Sequence, residues 1–199
     1  MPLSGGRITP GVVRVGRTVR RAATASSSFV AELLDDLQRE GFTGAPRHLG
    51  FDTAGREILS YLPGWVPARF QSWTDPQVAA AGSLLRSFHD ATRSSRLAGR
   101  HPVVCHHDPG PNNTVFAAAF IDFDTAAPGD PLEDLGYMAW TWCISSKPTA
   151  PPATVQAAQV RVLADAYGLD AASRSRLIDA EQEHAYTSAN RKTFDAALD

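Results

Sequence analysis

The sequence predicts an α+β protein in which a small β-rich lobe precedes a larger, mainly helical lobe. Three observations carry that expectation. β-Branched residues crowd the N-terminal part, at Val12, Val13, Val15, Thr18 and Val19, and such side chains suit a pleated, half-buried surface. A single helical repeat of apolar residues (Phe29, Val30, Leu33, Leu34, Leu37) separates them from two further strand-like runs. After Trp65 the strand character contracts to residues 102–123, and helical patterns fill most of the remainder. The expected organisation is therefore a first lobe over 1–62 and a second over 63–199.

Each element has a local reason. Gly16-Arg17 reads as the turn of a hairpin between 12–15 and 18–22. Ser26-Ser27-Ser28 offers helix N-caps, and Gly41 ends the helix that follows. Arg47 to Leu62 reads as two strands joined by Asp52-Thr53-Ala54-Gly55 and closed by Pro63-Gly64. Asp75-Pro76 opens a helix with Val78, Leu84, Leu85 and Phe88 on its apolar side. Helical character resumes after Asp134, breaks at Pro148 to Pro152, and returns over 155–167 and 171–184.

Composition narrows the function. The chain has 199 residues, of which 43% are hydrophobic and 20% charged, with a net charge of −2. That is long enough for a buried core without staples, and the charge balance argues against a broad nucleic-acid-binding surface. Two cysteines, Cys105 and Cys143, make no disulfide framework. No apolar run reaches the ~18 residues that a membrane span needs, and residues 1–10 show no apolar signal region. The expected compartment is the cytoplasm. Cys105, His106 and His107 with His101 lack a well-spaced fourth ligand for zinc. Lys147 and Lys192 are the only lysines, so any cation needed early in the chain must be arginine.

The chemistry sits in Val104-Cys-His-His-Asp-Pro-Gly-Pro-Asn-Asn-Thr-Val-Phe116 and in Phe120-Ile-Asp-Phe-Asp124. His106 precedes Asp108 by two positions, Asn113 follows it by five, and Asp122 lies nine beyond Asn113. Phosphoryl transfer asks little covalent help of a protein. It needs an acceptor hydroxyl aimed at the γ-phosphate and cations that neutralise the phosphates. In that chemistry Asp108 orients the hydroxyl, with His106 as a second catalytic candidate, although a packing role suits His106 better. Asn113 and Asp122 are the metal candidates, one amide and one carboxylate being a suitable Mg²⁺ set. Asp130 and Asp134 read mainly as structural, Asp124 as either a metal neighbour or a solvated group, and Trp142 as core or as a wall of the acceptor pocket.

These residues resemble the aminoglycoside phosphotransferase family, whose fold is protein-kinase-like. The family's H-G-D-x-x-x-x-N stretch is matched by His106-His107-Asp108 and Asn113, its I-D-F by Ile121-Asp122-Phe123, and its G-D-P-x-x-D-L by Gly129 to Leu135. His107 stands where the family has glycine. The resemblance implies a two-lobed kinase-like fold that uses ATP (or GTP) and Mg²⁺. It implies that Gly5, Gly6 and Thr9 belong to a phosphate-covering turn after a short first strand over 2–4. It places Arg20 where the family has the phosphate-binding lysine, with Arg21 as a rival and Glu32 as the carboxylate that orients it. Arginine keeps the charge but forks differently from lysine. Ser60, Tyr61 and Leu62 would form the hinge that binds the base.

The implied substrate is a small molecule with a hydroxyl group, foremost an aminoglycoside-type antibiotic. The alternatives are a choline, homoserine or sugar kinase, a catalytically idle nucleotide-binding protein of the same fold, and a metal-dependent hydrolase built on the His/Asp cluster. The short span between Asp122 and Asp134 argues against a protein substrate, and the oligomeric state is open. The hairpin through Ala117-Ala118-Ala119 has none of the residues that tight turns favour.

Overall fold

The computed structural model describes residues 11–67, 71–116 and 119–184, with side chains to residue 177. A four-stranded antiparallel sheet comes first, formed by β1 (Val13–Val15), β2 (Thr18–Ala22), β3 (His48–Phe51) and β4 (Arg56–Ser60) in the order β1-β2-β4-β3. Gly16 makes the β1–β2 turn at φ 61°, a conformation that glycine adopts at little cost. In the β2–β4 ladder Arg21 faces Glu57 directly, and Thr18 faces Ser60. The expected first strand over 2–4 and the turn with Gly5, Gly6 and Thr9 lie outside the described residues, as do Ala117 and Ala118.

Helix α1 (Ser27–Arg39) connects the two hairpins and buries Val30, Leu33, Leu34 and Leu37 on one face. Its end comes where expected, with Gly41 at φ 76°. Helix α2 (Asp75–Thr92) starts with a reciprocal cap between Thr74 and Gln77 and a proline in its first turn. It crosses α4 (Ala153–Tyr167) closely: a Cβ on Gly82 would lie 2.9 Å from the Leu163 carbonyl oxygen. Helix α5 (Ala171–His184) packs on α3 (Pro131–Met138).

Short strands frame the segment that carries the motif. β5 (Val103–Cys105) pairs with β8 (Ala127–Gly129), and β6 (Thr114–Val115) with β7 (Ala119–Phe120). The helix expected after Asp134 begins earlier, at Pro131, because Asp130 caps it and exchanges hydrogen bonds with the Glu133 turn. Beyond α3, residues Ala139–Cys143 form a π-helical turn. Trp142 is buried there and donates its indole N–H to Pro109 O at 3.1 Å, so it supports the motif loop from beneath. One apolar core joins α1, α2, α3, α4 and the short strands. Among the described residues no helix is long and apolar enough to cross a membrane.

Candidate active site

The loop after β5 is held by one buried carboxylate. Asp134 accepts the backbone N–H of His106 at 2.6 Å on Oδ2 and that of His107 at 2.6 Å on Oδ1. His89 of α2 adds a third bond to Oδ2 at 3.0 Å. Burial alone would raise the Asp134 pKa, but the hydrogen bonds from His89 and from the His106 amide outweigh it and hold the carboxyl below its ordinary value. His89 is fixed on its other side by the Tyr167 hydroxyl at 2.8 Å, whose proton burial retains. His89, Cys105 and Asp134 lie close enough to share an ion. Each is already committed, however, Cys105 donating to Asp130 O at 3.2 Å.

The same grip explains an unusual backbone. His107 sits at φ 62° and Asp122 at φ 65°, the two non-glycine residues with positive φ among those described. Such strain persists only where surroundings enforce it, and it clusters at functional sites. His107 is held by its amide bond to Asp134 and by ring contacts with Glu133 (3.0 Å) and Thr125 O (3.2 Å). The left-handed backbone is the physical reason a glycine would suit this position.

His106 is fully buried against Phe88, Phe120 and Phe123. Burial lowers its pKa, against the raising influence of Asp134 and the Ile121 carbonyl. The neutral ring donates Nε2–H to Ile121 O at 3.1 Å and accepts the Asp108 N–H on Nδ1 at 3.3 Å. It therefore ties the Asp108 loop to the Asp122 strand end without reaching solvent. This burial is at odds with its inclusion among the catalytic candidates: the His106 ring packs and holds the loop.

Asp108 is held at both carboxylate oxygens. Asn113 donates Nδ2–H to Oδ2 at 2.7 Å and to the Asp108 carbonyl at 3.0 Å. Tyr137 of α3 donates its hydroxyl to Oδ1 at 2.5 Å. The two bonds from Asn113 Nδ2 fix the amide, and its Oδ1 is turned to the other side, where it accepts the Asn112 side chain at 3.0 Å. Asn112, Asn113 and Asp122 line one cavity together with Arg21 and the Ser60–Leu62 segment.

That cavity has a volume of about 390 Å³ and lies between the sheet and the short strands. Val19, Leu59 and Val115 make much of its apolar wall, and Ser60, Tyr61 and Leu62 its rim. Gly64, at φ 149°, lets the chain pass over Val115, whose Cγ1 would be 2.4 Å from an added Cβ. The cation inside is Arg21, not Arg20. Successive strand residues point to opposite faces, so Arg20 turns toward the Thr18 hydroxyl (2.7 Å) and Asp52 (3.9 Å). Arg21 is buried beside Glu57 (2.7 Å) and reaches Asp124 (2.6 Å) and Asp122 (3.6 Å). Glu32 does not orient either arginine; it pairs with Arg96 beyond α2.

The cluster fits a cation and a phosphate. Asp122, Asp124 and Glu57 surround one guanidinium. Burial first, and the neighbouring Asp124 second, raise the Asp122 pKa against the lowering influence of Arg21. Glu57 Oε1 is buried without a hydrogen-bond partner, and so are Arg21 Nη2 and Asp124 Oδ1, which meet as an ion contact without hydrogen-bond alignment. A guanidinium beside a pair of carboxylates is a donor set that suits a metal–phosphate group. Sequence reasoning missed Glu57 and Tyr137. Glu57 is marked as the opposite-charge partner of Arg21 only by the pairing of β2 with β4, and nothing local marks Tyr137.

Comparison with known proteins places the fold and the family. The phosphotransferase enzyme family (APH) matches residues 30–178, and the chain belongs to it. It is accordingly a phosphotransferase with a protein-kinase-like fold. A trifolitoxin immunity protein of Rhizobium leguminosarum bv. trifolii is 32% identical to it over 202 aligned positions, covering 88% of this chain and 76% of that protein. Among solved structures it is similar to a choline/ethanolamine kinase family protein of Mesorhizobium loti, with a TM-score of 0.57 and 17% identity over 94% of this chain and 88% of that one. It is similar also to ADP-bound aminoglycoside phosphotransferase APH(2'')-Ib, with a TM-score of 0.51 and 12% identity over 94% and 90%.

Proposed function

We propose that the cleft binds a nucleoside triphosphate, ATP or GTP, with Mg²⁺ and moves its γ-phosphoryl group to a hydroxyl of a small molecule. The observation that carries this reading is the Asn113–Asp108 hydrogen bond of 2.7 Å. It orients a carboxylate for an acceptor and, in the same act, turns the Asn113 amide oxygen away from it. Asn113 and Asp122 would hold the Mg²⁺, which neutralises phosphate charge and orients the triphosphate when bound.

The chain's own groups do the rest. Arg21 gives charge-assisted hydrogen bonds to phosphate oxygens, anchored by Glu57. The Ser60–Leu62 backbone lies at the rim for the base, and residues 1–62 serve as the nucleotide lobe against 63–199. Asp108 accepts the hydrogen bond of the acceptor hydroxyl. As the acceptor O–P bond forms, the bond from Pγ to the β-bridging oxygen breaks, the hydroxyl proton passes to Asp108, and the nucleoside diphosphate leaves. His106 and Asp134 keep the loop in place.

A hydroxyl-bearing antibiotic is the favoured acceptor. The relative named above is an immunity protein against a toxin, and one structural neighbour is named for aminoglycosides. A choline-type acceptor is the second reading, on the name of the other neighbour. A cytoplasmic location accompanies the use of ATP.

The test is ADP release from Mg-ATP with a panel of aminoglycosides, other antibiotics, choline and simple sugars. Release should require an acceptor, and Asp108→Asn should lower kcat by ~10²-fold or more with nucleotide affinity retained. Unchanged turnover in Asp108→Asn would refute the assignment.

A further inference from the structure

The Tyr137 hydroxyl has no place in the roles given so far, yet it is hydrogen-bonded to the Asp108 carboxylate. It donates to Asp108 Oδ1 at 2.5 Å, opposite the Asn113 bond to Oδ2 at 2.7 Å. Tyr137 is half-buried in α3, one turn after Asp134, the residue that fixes the loop backbone. A single short helix thus grips the loop twice, by its main chain through Asp134 and by its reactive side chain through Tyr137. Gly110 lies against both groups, and a Cβ there would stand 3.6 Å from Tyr137 Cε1 and 3.7 Å from Asp108 Oδ1.

We infer that Tyr137 is a positioning residue for phosphoryl transfer, which fixes the plane of the Asp108 carboxylate and leaves it to meet the acceptor hydroxyl in one orientation. The inference rests on the reading of Asp108 as the residue that receives the acceptor proton. A carboxylate offers about four lone-pair directions. One bond alone leaves it free to turn about Cβ–Cγ. Two bonds, one to each oxygen, remove that freedom. Positioning of this kind acts on the reacting geometry and not on nucleotide binding, because Tyr137 is not among the residues lining the cavity that holds Arg21 and Asp122. Small displacements of a reacting group are costly in rate.

The experiment compares wild type, Tyr137→Phe and Asp108→Asn in Mg-ATP turnover, with the acceptor panel above and with water alone as acceptor. Mg-ADP affinity and thermal midpoint are measured on each protein. Phenylalanine removes one oxygen and keeps the ring, so the expected result is a kcat lowered by ~10-fold or more, with ATP KM and Mg-ADP affinity within about twofold of wild type. A Tyr137→Phe protein with wild-type kcat beside an inactive Asp108→Asn protein overturns the inference and leaves the phosphotransfer reading standing. So does a raised ATP KM at unchanged kcat, or a fall in kcat matched by lost Mg-ADP binding. Full turnover in Asp108→Asn, or a wild type inert toward every acceptor and water, defeats the reading itself and the inference with it.

Discussion

At the scale of single residues, two neighbouring arginines show what a sequence withholds. By sequence Arg20 takes the lysine position with Arg21 as its rival, and strand alternation sends the two to opposite faces, with Arg21 in the cleft. The face was readable only from the register that sets Arg21 opposite Glu57. His107 shows the converse. Its place in the motif was legible, but its φ of 62° was not. The strain is measurable. His107→Ala and His107→Gly both lose the Glu133 and Thr125 contacts, but only alanine keeps the left-handed penalty, about 1–2 kcal/mol. The glycine variant should therefore have a denaturation midpoint at least equal to that of the alanine variant, despite glycine's greater freedom when unfolded. A clearly less stable glycine variant would mean that the backbone there is unstrained.

At the scale of elements, the organising contact is that of α3 with the loop after β5. Asp134 and His106 have pKa values that folding lowers, so each contributes a pH dependence of the same sign. The unfolded His106 takes up a proton below about pH 6.5 while the folded ring resists it. Stability should therefore decline as pH falls through that value, by up to about 1.4 kcal/mol per pH unit for one proton. Asp134 extends the loss to the acid range below about pH 4, where its unfolded form protonates first. Urea denaturation between pH 8 and pH 5 checks this against His106→Gln, which has no proton to gain. The wild-type slope should exceed the variant's, and equal slopes would show that the ring is not held neutral. The helix start at Pro131 illustrates why this element was partly hidden. Asp130 was weighed as a structural residue, but its role as an N-cap depends on the reciprocal Glu133 bond.

At the scale of the whole molecule, the β-β-α-β-β order, the helices and the motif segments were legible because periodicity and spacing are local. The cleft was not, since it is assembled from β2, β4, the loop after β5 and the end of β7. Asp108, Asn113 and Asp122 were visible as a motif. Glu57 became a partner only once β2 and β4 were paired, and Glu32, a plausible partner by analogy, is drawn instead to Arg96.

The account stands on the claim that a magnesium nucleotide enters this cleft against Arg21. Calorimetric titration of Mg-ATP into wild type, Arg20→Ala and Arg21→Lys, each checked for an unchanged thermal midpoint, addresses it directly. Lysine keeps a charge beside Glu57 but loses the fork that spans Asp122 and Asp124. The account predicts affinity within about twofold of wild type for Arg20→Ala and a loss of roughly tenfold, about 1.4 kcal/mol, for Arg21→Lys. The reverse order, with Arg20→Ala weakened and Arg21→Lys unaffected, would contradict it.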